Sequence, residues 1–283
     1  MSEKALMKAI FANVGLTVAQ VVGGLASGSL SLVADALHNL SDAASLFIAV
    51  VAIRIGRKPA DEQKTFGYKR AETIAALINL TTLVAIGVYL MGEAIRRFFV
   101  PEPITGWMVV IIAGIALIVD VYTAFLTYRQ SKTSMNMRAA FLHNVTDALA
   151  SVGVIVAGLL IIWKGWVLAD TIMTVIIAGY VLYHGFKAMP EVIHLLMEGA
   201  PKGLEMKDIE NAMESIEGVN DVHHIHIWQI DENKTALEAH VQVKDLSTIV
   251  VLKKKLKSLL EENFDIHHST LEFETIDEDC EDC

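Results

Sequence analysis

The chain has 283 residues, of which 53% are hydrophobic, and its mean hydropathy of +0.46 is too apolar for an ordinary soluble protein of this length. Its formal charge of −10 is unevenly spread, because residues 272–283 hold seven carboxylates and no Lys or Arg. No basic face is present to hold a nucleic acid, which excludes that class of partner. Both cysteines, Cys280 and Cys283, lie in the last four residues, which excludes a disulfide framework.

Hydropathy divides the first 200 residues into six stretches, at about 7–28, 32–54, 72–97, 105–128, 138–162 and 167–189, each near the ~20 residues that cross a bilayer as a helix. Lys4 and Lys8 precede the first stretch as they would in a signal peptide. No small-x-small cleavage site ends a short apolar core, so a membrane span is expected there instead. Loops 54–70 and 129–138 hold Arg54, Arg57, Lys58, Lys64, Lys69, Arg70, Arg129, Lys132 and Arg138, whereas the intervening turns hold only Arg96, Arg97 and Lys164. The positive-inside rule then places the basic loops and both termini in the cytoplasm. Trp107, Trp163 and Trp166 fall at the opposite ends of the spans, where an aromatic belt is expected. The expected location is the inner (plasma) membrane of a bacterium.

After Pro190 and Pro201 the pattern becomes that of a soluble module. Residues 203–216 and 247–262 have helical periodicity, and residues 221–230, 234–244 and 268–276 read as strands, the first two joined by a turn at Asp231-Glu232-Asn233. Two helices on one face of a three-stranded sheet make a ferredoxin-like α+β module. The predicted fold is thus a six-helix membrane bundle (residues 1–200) followed by a cytoplasmic ferredoxin-like domain (residues 201–283). At ~80 residues that domain is marginal alone, so pairing with a second copy is expected.

Within the apolar stretches one pattern occurs twice. Residues 38–46 read His-Asn-Leu-Ser-Asp-Ala-Ala-Ser-Leu and residues 143–151 read His-Asn-Val-Thr-Asp-Ala-Leu-Ala-Ser. His38 and Asp42, like His143 and Asp147, stand four apart and so share a helix face. Two such helices side by side bring two imidazoles and two carboxylates together, a complete N/O site for a divalent ion such as Zn²⁺. Ionisable groups at membrane depth are expensive and usually functional, and an ion held there is most simply cargo. Four ligands close the site, so no catalytic residues and no enzyme activity are expected.

Other polar residues in the spans are less distinctive. Asp35, one turn before His38, reads either as a carboxylate orienting His38 or relaying protons, or as a helix-end residue near the interface. Asn13 and Gln20 read as hydrogen-bonding links between helices or as cavity-lining polar groups, and Asn39 and Asn144 as links between helices. Asp120 should face a wet cavity or a partner that the sequence does not identify. Asp170 is expected at the interface, and His184 and His194 at the cytoplasmic membrane edge. Cys280-Glu-Asp-Cys283 has a spacing that chelates metal in a reducing compartment, the alternative being a flexible acidic tail.

Asp35-Ala-Leu-His38-Asn-Leu-Ser-Asp42, Phe66-Gly-Tyr-Lys-Arg-Ala-Glu72, His143-Asn-Val-Thr-Asp147, Met197-Glu-Gly-Ala-Pro201 and Val222-His-His-Ile-His-Ile-Trp228 follow one another in this order. Over nearly its whole length the chain resembles the cation diffusion facilitator family, in its zinc-transporting branch. The resemblance implies a homodimer that exports Zn²⁺, or related ions such as Cd²⁺ or Co²⁺, in exchange for protons. It also implies a second, cytoplasmic metal site at His223, His240 and Glu274, which some relatives complete with a C-terminal Cys pair, here Cys280 and Cys283. Simple strand alternation agrees for His240 and Glu274, which it turns away from Leu237, Ala239, Val241 and Val243. It puts His223 in phase with Ile225 and Ile227 instead, which leaves His224 as a substitute and His267 as a further candidate. The loop between the second and third stretches lacks the histidines that hold a second zinc in some relatives, so no strong site is expected there, and Asp61 is expected to be a solvated charge. The competing reading from another class is a membrane receptor that senses zinc without moving it.

Overall fold

The computed structural model describes residues 3–132, 135–231 and 234–276, with no description of the side chains of residues 3–14, 46, 129–131, 135–137 and 139–140. The chain forms two compact units, Met1–Ile48 with Ile78–Met189, and Ala49–Leu77 with Pro190–Cys283.

Six helices follow in order: α1 (Glu3–Ser27), α2 (Leu30–Gly56), α3 (Ala71–Phe99), α4 (Gly106–Ser131), α5 (Met135–Lys164) and α6 (Leu168–Leu196). Helices are the expected solution, since lipid offers no partner for backbone N–H and C=O groups and a helix satisfies its own. Among the described residues, five helices are long and apolar enough to cross a membrane, and α1 contributes a shorter apolar run, Gly15–Ser27. Phe47, Tyr89, Ile118, Phe125, Leu149 and Trp163 all point outward. In water such a surface would be untenable; against acyl chains it is neutral.

The interior of the first unit is built from small and branched residues: Leu30, Leu32 and Ala34 of α2, Leu90 and Ala94 of α3, Val109 and Ala113 of α4, Val154 of α5, and Ile177 and Ala178 of α6. Glycines set the approach of α4 to α5. A Cβ on Gly106 would lie 3.0 Å from the Gly158 carbonyl oxygen, and one on Gly158 would lie 2.8 Å from Val110 Cγ2. The turn between α1 and α2 uses Gly28 at φ 74°, where a Cβ would strike the Pro103 carbonyl oxygen at 2.6 Å. Arg97, paired with Glu93 and Glu102, donates to the Gly28 carbonyl at the same turn.

Asp170 is not the interfacial residue expected. It is fully buried, and its carboxylate accepts from Ser29 Oγ and Ser31 Oγ, both at 2.5 Å, from Leu30 N at 2.8 Å and from Ser31 N at 3.3 Å. A helix leaves its first N–H groups without partners and carries a partial positive charge there. The first turn of α2 obtains its cap from α6, some 140 residues away in sequence. A second difference is that α6 runs through Pro190 to Leu196, at the cost of the backbone hydrogen bond that the proline nitrogen cannot make.

In the second unit, α7 (Met206–Glu214), β1 (Val219–Asp231), β2 (Lys234–Val243), α8 (Ile249–Phe264) and β3 (His268–Thr275) make the expected ferredoxin-like module. The sheet order is β1-β2-β3, with β1 and β2 antiparallel and β2 and β3 parallel across the α8 crossover. Leu252, Leu256 and Leu260, four apart on α8, join Ile209 and Met213 of α7 in covering Val222, Ile225, Ile227, Leu237, Ala239, Val241 and Val243. Burying a leucine fully is worth ~1.5–3 kcal/mol, so the leucine stripe is the main anchor of α8. Asp245 opens the turn leading into α8 by accepting from Ser247 N and Oγ, which holds its carboxyl below the usual range. Asp265 ends α8 at φ 57°, with Ile266 N bonded back to the Leu260 carbonyl.

Candidate metal centres

α2 and α5 bring all four repeated residues together. His38 Nε2 lies 3.6 Å from Asp42 Oδ2 and 3.8 Å from Asp147 Oδ1, and His143 Nε2 lies 3.1 Å from Asp42 Oδ2 and 3.4 Å from Asp147 Oδ2. The two imidazole rings meet edge to face at 5.9 Å. One ligand atom from each of His38, His143 and Asp147 falls within 4.8 Å of the others. His38 and Asp147 form the sheltered side, 16% and 10% exposed, while His143 and Asp42 are 45% and 38% exposed.

Among the described residues, Asp42 Oδ2 and His38 Nδ1 are buried without a hydrogen-bond partner. Buried polar atoms are nearly always satisfied, so orphans call for an explanation. A carboxylate oxygen 3.1 and 3.6 Å from two imidazole Nε2 atoms, with neither contact aligned as a hydrogen bond, is an arrangement that a cation satisfies. The two-nitrogen, two-carboxylate donor set suits zinc and its borderline neighbours, with the carboxylates offsetting the dication in a low dielectric.

The other polar residues resolve into links between helices. Asp35 is buried, and its Oδ2 accepts from Gln20 Nε2 at 2.5 Å; Gln20 Oε1 in turn accepts from Asn39 Nδ2 at 3.2 Å. Asp35 therefore ties α2 to α1, and its hydrogen bond goes to Gln20, not to His38. Asp120 Oδ2 accepts from Ser151 Oγ at 2.9 Å, so its partner is a hydroxyl on α5. Ser151 stands one turn beyond Asp147, and that spacing was the signal available in the sequence. His184 packs against the rings of Tyr180 and Tyr183 at 4.4 and 5.3 Å, and His194 Nε2 meets the Ala200 carbonyl at 2.8 Å just past the end of α6. Asn144 is half-buried, and the Asn13 side chain lies outside the described residues.

In the second unit, His223, His240 and Glu274 converge on the sheet face opposite the helices, with one ligand atom from each inside 4.8 Å. His240 Nδ1 lies 2.6 Å from Glu274 Oε1 and His223 Nε2 lies 3.3 Å from Glu274 Oε2, an oxygen buried without a hydrogen-bond partner among the described residues. Strand alternation mispredicts His223 because β1 carries a bulge. His223 pairs with His240 and His226 with Glu238, so β1 spends one residue more than β2. His224, at φ 49°, absorbs it. Val222 and Ile225 both face the core, and His223 turns outward.

Asp221 accepts at 2.7 Å from His223 Nδ1, leaving Nε2 free for a ligand. The sequence reading missed it, although residues two apart on a strand share a face. His267 lies elsewhere, beside Glu261 and Asp265. Cys280 and Cys283 lie outside the described residues.

In the loop between α2 and α3, Asp61 is more than a solvated charge. Its Oδ1 accepts from the backbone N–H groups of Gln63 and Lys64 at 2.9 and 2.8 Å, and its Oδ2 accepts from the Tyr68 hydroxyl at 2.6 Å. The Tyr68 bond first, then the backbone bonds, hold the Asp61 carboxyl below its usual range. The same bond pushes the Tyr68 phenol up.

A six-helix membrane bundle with an intramembrane N/O cluster, followed by a small α+β domain with a second cluster, defines a class of metal-moving membrane proteins. Comparison with known families agrees: residues 6–197 match the cation efflux transmembrane domain and residues 201–276 the cytoplasmic domain of cation efflux proteins. The chain belongs to this family, the cation diffusion facilitators, in its zinc-transporting branch; it is an integral membrane protein of a transporter family and not an enzyme.

Among its relatives is a cadmium, cobalt and zinc/H(+)-K(+) antiporter of Bacillus velezensis, 38% identical over 278 residues that cover 97% of this chain and 89% of the relative. The zinc transporter ZitB of Escherichia coli is 36% identical over 273 residues, 96% of this chain and 87% of the relative. The metal cation efflux system protein CzcD of Cupriavidus metallidurans is 33% identical over 275 residues, 96% and 87% of the two chains. A solved structure, the metal-bound C-terminal domain of that organism's CzcD transporter, is 30% identical and covers 25% of this chain and 99% of its own, with a TM-score of 0.24.

Proposed function

We propose that this chain is a zinc/proton antiporter that exports Zn²⁺ from the cytoplasm. The observation that carries the reading is the convergence of His38, Asp42, His143 and Asp147 from two helices around an orphaned carboxylate oxygen. These four side chains hold one dehydrated Zn²⁺. An imidazole ligates only when neutral, so the ion and protons compete for the same nitrogens. A proton gradient directed inward therefore releases metal outward when the site is exposed to each side in turn. The names of the relatives support cadmium and cobalt as further cargo, and the ligand chemistry admits both.

The working unit is a homodimer, and the match to a cation efflux cytoplasmic domain supports pairing through that region. A metal ion at His223, His240 and Glu274, with Cys280 and Cys283 as additional ligands, biases the dimer toward its active state by binding one conformation better than the other. The basic loops support a cytoplasmic location for both termini.

Sealed proteoliposomes carrying zinc-sensitive and pH-sensitive dyes test the reading. Wild-type protein should move Zn²⁺ one way and protons the other, and His143→Ala should reduce flux by about 100-fold or more, since even neighbours of metal ligands cost 10–100-fold. Tight zinc binding without flux under any gradient would leave the receptor reading in place of transport.

A further inference from the structure

The outer face of the sheet holds more metal-ligating side chains than one ion uses. With His223, His240 and Glu274 engaged, His224 and His226 of β1 and Glu238 of β2 remain. The Nε2 atoms of His224 and His226 stand 3.1 Å apart, and their rings meet edge to face at 4.6 Å. Two nitrogens bound at ~2.0–2.1 Å to one tetrahedral ion are themselves about 3.3 Å apart. The pair is already near chelating distance.

Two further observations point to a ligand there. His224 holds a left-handed backbone at φ 49°, a conformation that costs a non-glycine residue on the order of 1–3 kcal/mol and clusters at functional sites. That strained bulge aims the His224 ring at His226. Glu238 stands directly across the ladder from His226, and both line one cavity of about 980 Å³, which leaves a path for an ion and for water. Paired cross-strand Cβ atoms are about 4.5–5.5 Å apart; the Glu238 carboxylate does not yet lie within 4.8 Å of both imidazoles, and a turn of this exposed side chain brings it to a shared ion.

We propose that His224, His226 and Glu238 form a second cation site on this sheet, taking a divalent transition-metal ion such as Zn²⁺ or Co²⁺. Two imidazoles and one carboxylate leave a coordination position open to the cavity, so the ion exchanges readily. The His224 ring also packs 4.8 Å from the His240 ring. An ion leaving this pair has the His223, His240 and Glu274 group as its neighbour, which makes the pair its entry point. The proposal does not depend on transport.

The test counts Zn²⁺ bound per full-length chain by equilibrium dialysis in detergent, in a His143→Ala/Asp147→Asn background that removes the membrane cluster. His224→Ala/His226→Ala should lose one equivalent and leave the tightest remaining one unchanged. Glu238→Gln should weaken that same equivalent about 10-fold, and the ligand-field spectrum of Co²⁺ should lose the matching component. If the alanine pair melts early in chelator, His224→Asn/His226→Gln carries the count. An unchanged count and affinity would reduce the pair to a hydrogen bond, and loss of the tightest cytoplasmic equivalent would make it a prop for the first group. Either result overturns the proposal. Flux is not read, so failure of the antiporter reading shows separately.

Discussion

At the scale of single residues, the buried carboxylates divide into those that hold helices together and those that converge on the paired imidazoles. Asp170 is wholly structural: four donors at the start of α2 share its two oxygens. Asp170→Ala leaves four buried donors unsatisfied at ~1–3 kcal/mol each, so a loss of about 4 kcal/mol or more is expected, read as an early thermal transition in detergent. Asp170→Asn, which keeps an acceptor but loses the charge at the helix N-terminus, should lose about 1 kcal/mol. An alanine variant that melts with the wild type would refute the cap. Asp61 behaves differently because it is exposed. Its carboxyl is held low by Tyr68 and the loop backbone, so its contribution is present above the ordinary carboxylate pKa and disappears as pH falls through the lower folded value. Across neutral pH the loop should therefore be indifferent to acidity. Tyr68→Phe should return the Asp61 titration toward the ordinary carboxylate value near ~3.9, read by carboxyl carbon NMR; an unmoved titration would show that the phenol is not its partner.

At the scale of elements, close backbone approach and one irregular strand do most to place the clusters. α4 and α5 meet at Gly106 and Gly158, and α5 carries His143 and Asp147. Gly158→Leu forces a side chain into Val110 and the Gly106 carbonyl, overpacking that costs ~1–3 kcal/mol. The expected result is an earlier melt and reduced zinc flux although no ligand has changed; normal flux and melting would show that the helices separate without penalty. The bulge in β1 has the opposite character. It interrupts the regular pairing of the ladder and leaves His223 outward beside His240, where a regular strand would turn that imidazole into the core of Ile225 and Ile227. One extra residue reverses the facing of everything before it.

At the scale of the whole molecule, two compact units carry two clusters of His and carboxylate side chains that could hold a metal ion, one among apolar helices and one on a sheet face. Much of this was legible in the amino-acid sequence. Apolar runs of span length are local, as is the i, i+4 repeat that puts His38 over Asp42 and His143 over Asp147. So is the leucine stripe that docks α8. Tertiary structure alone decided which distant groups meet: Asp170 with the first turn of α2, Asp120 with Ser151, Asp35 with Gln20. The reason is physical. In a bilayer, lipid is as apolar as a neighbouring helix, so side-chain pattern does not say which face meets which partner. In the sheet, the facing of His223 depends on the register shift between His223 and His226, which no alternation rule counts.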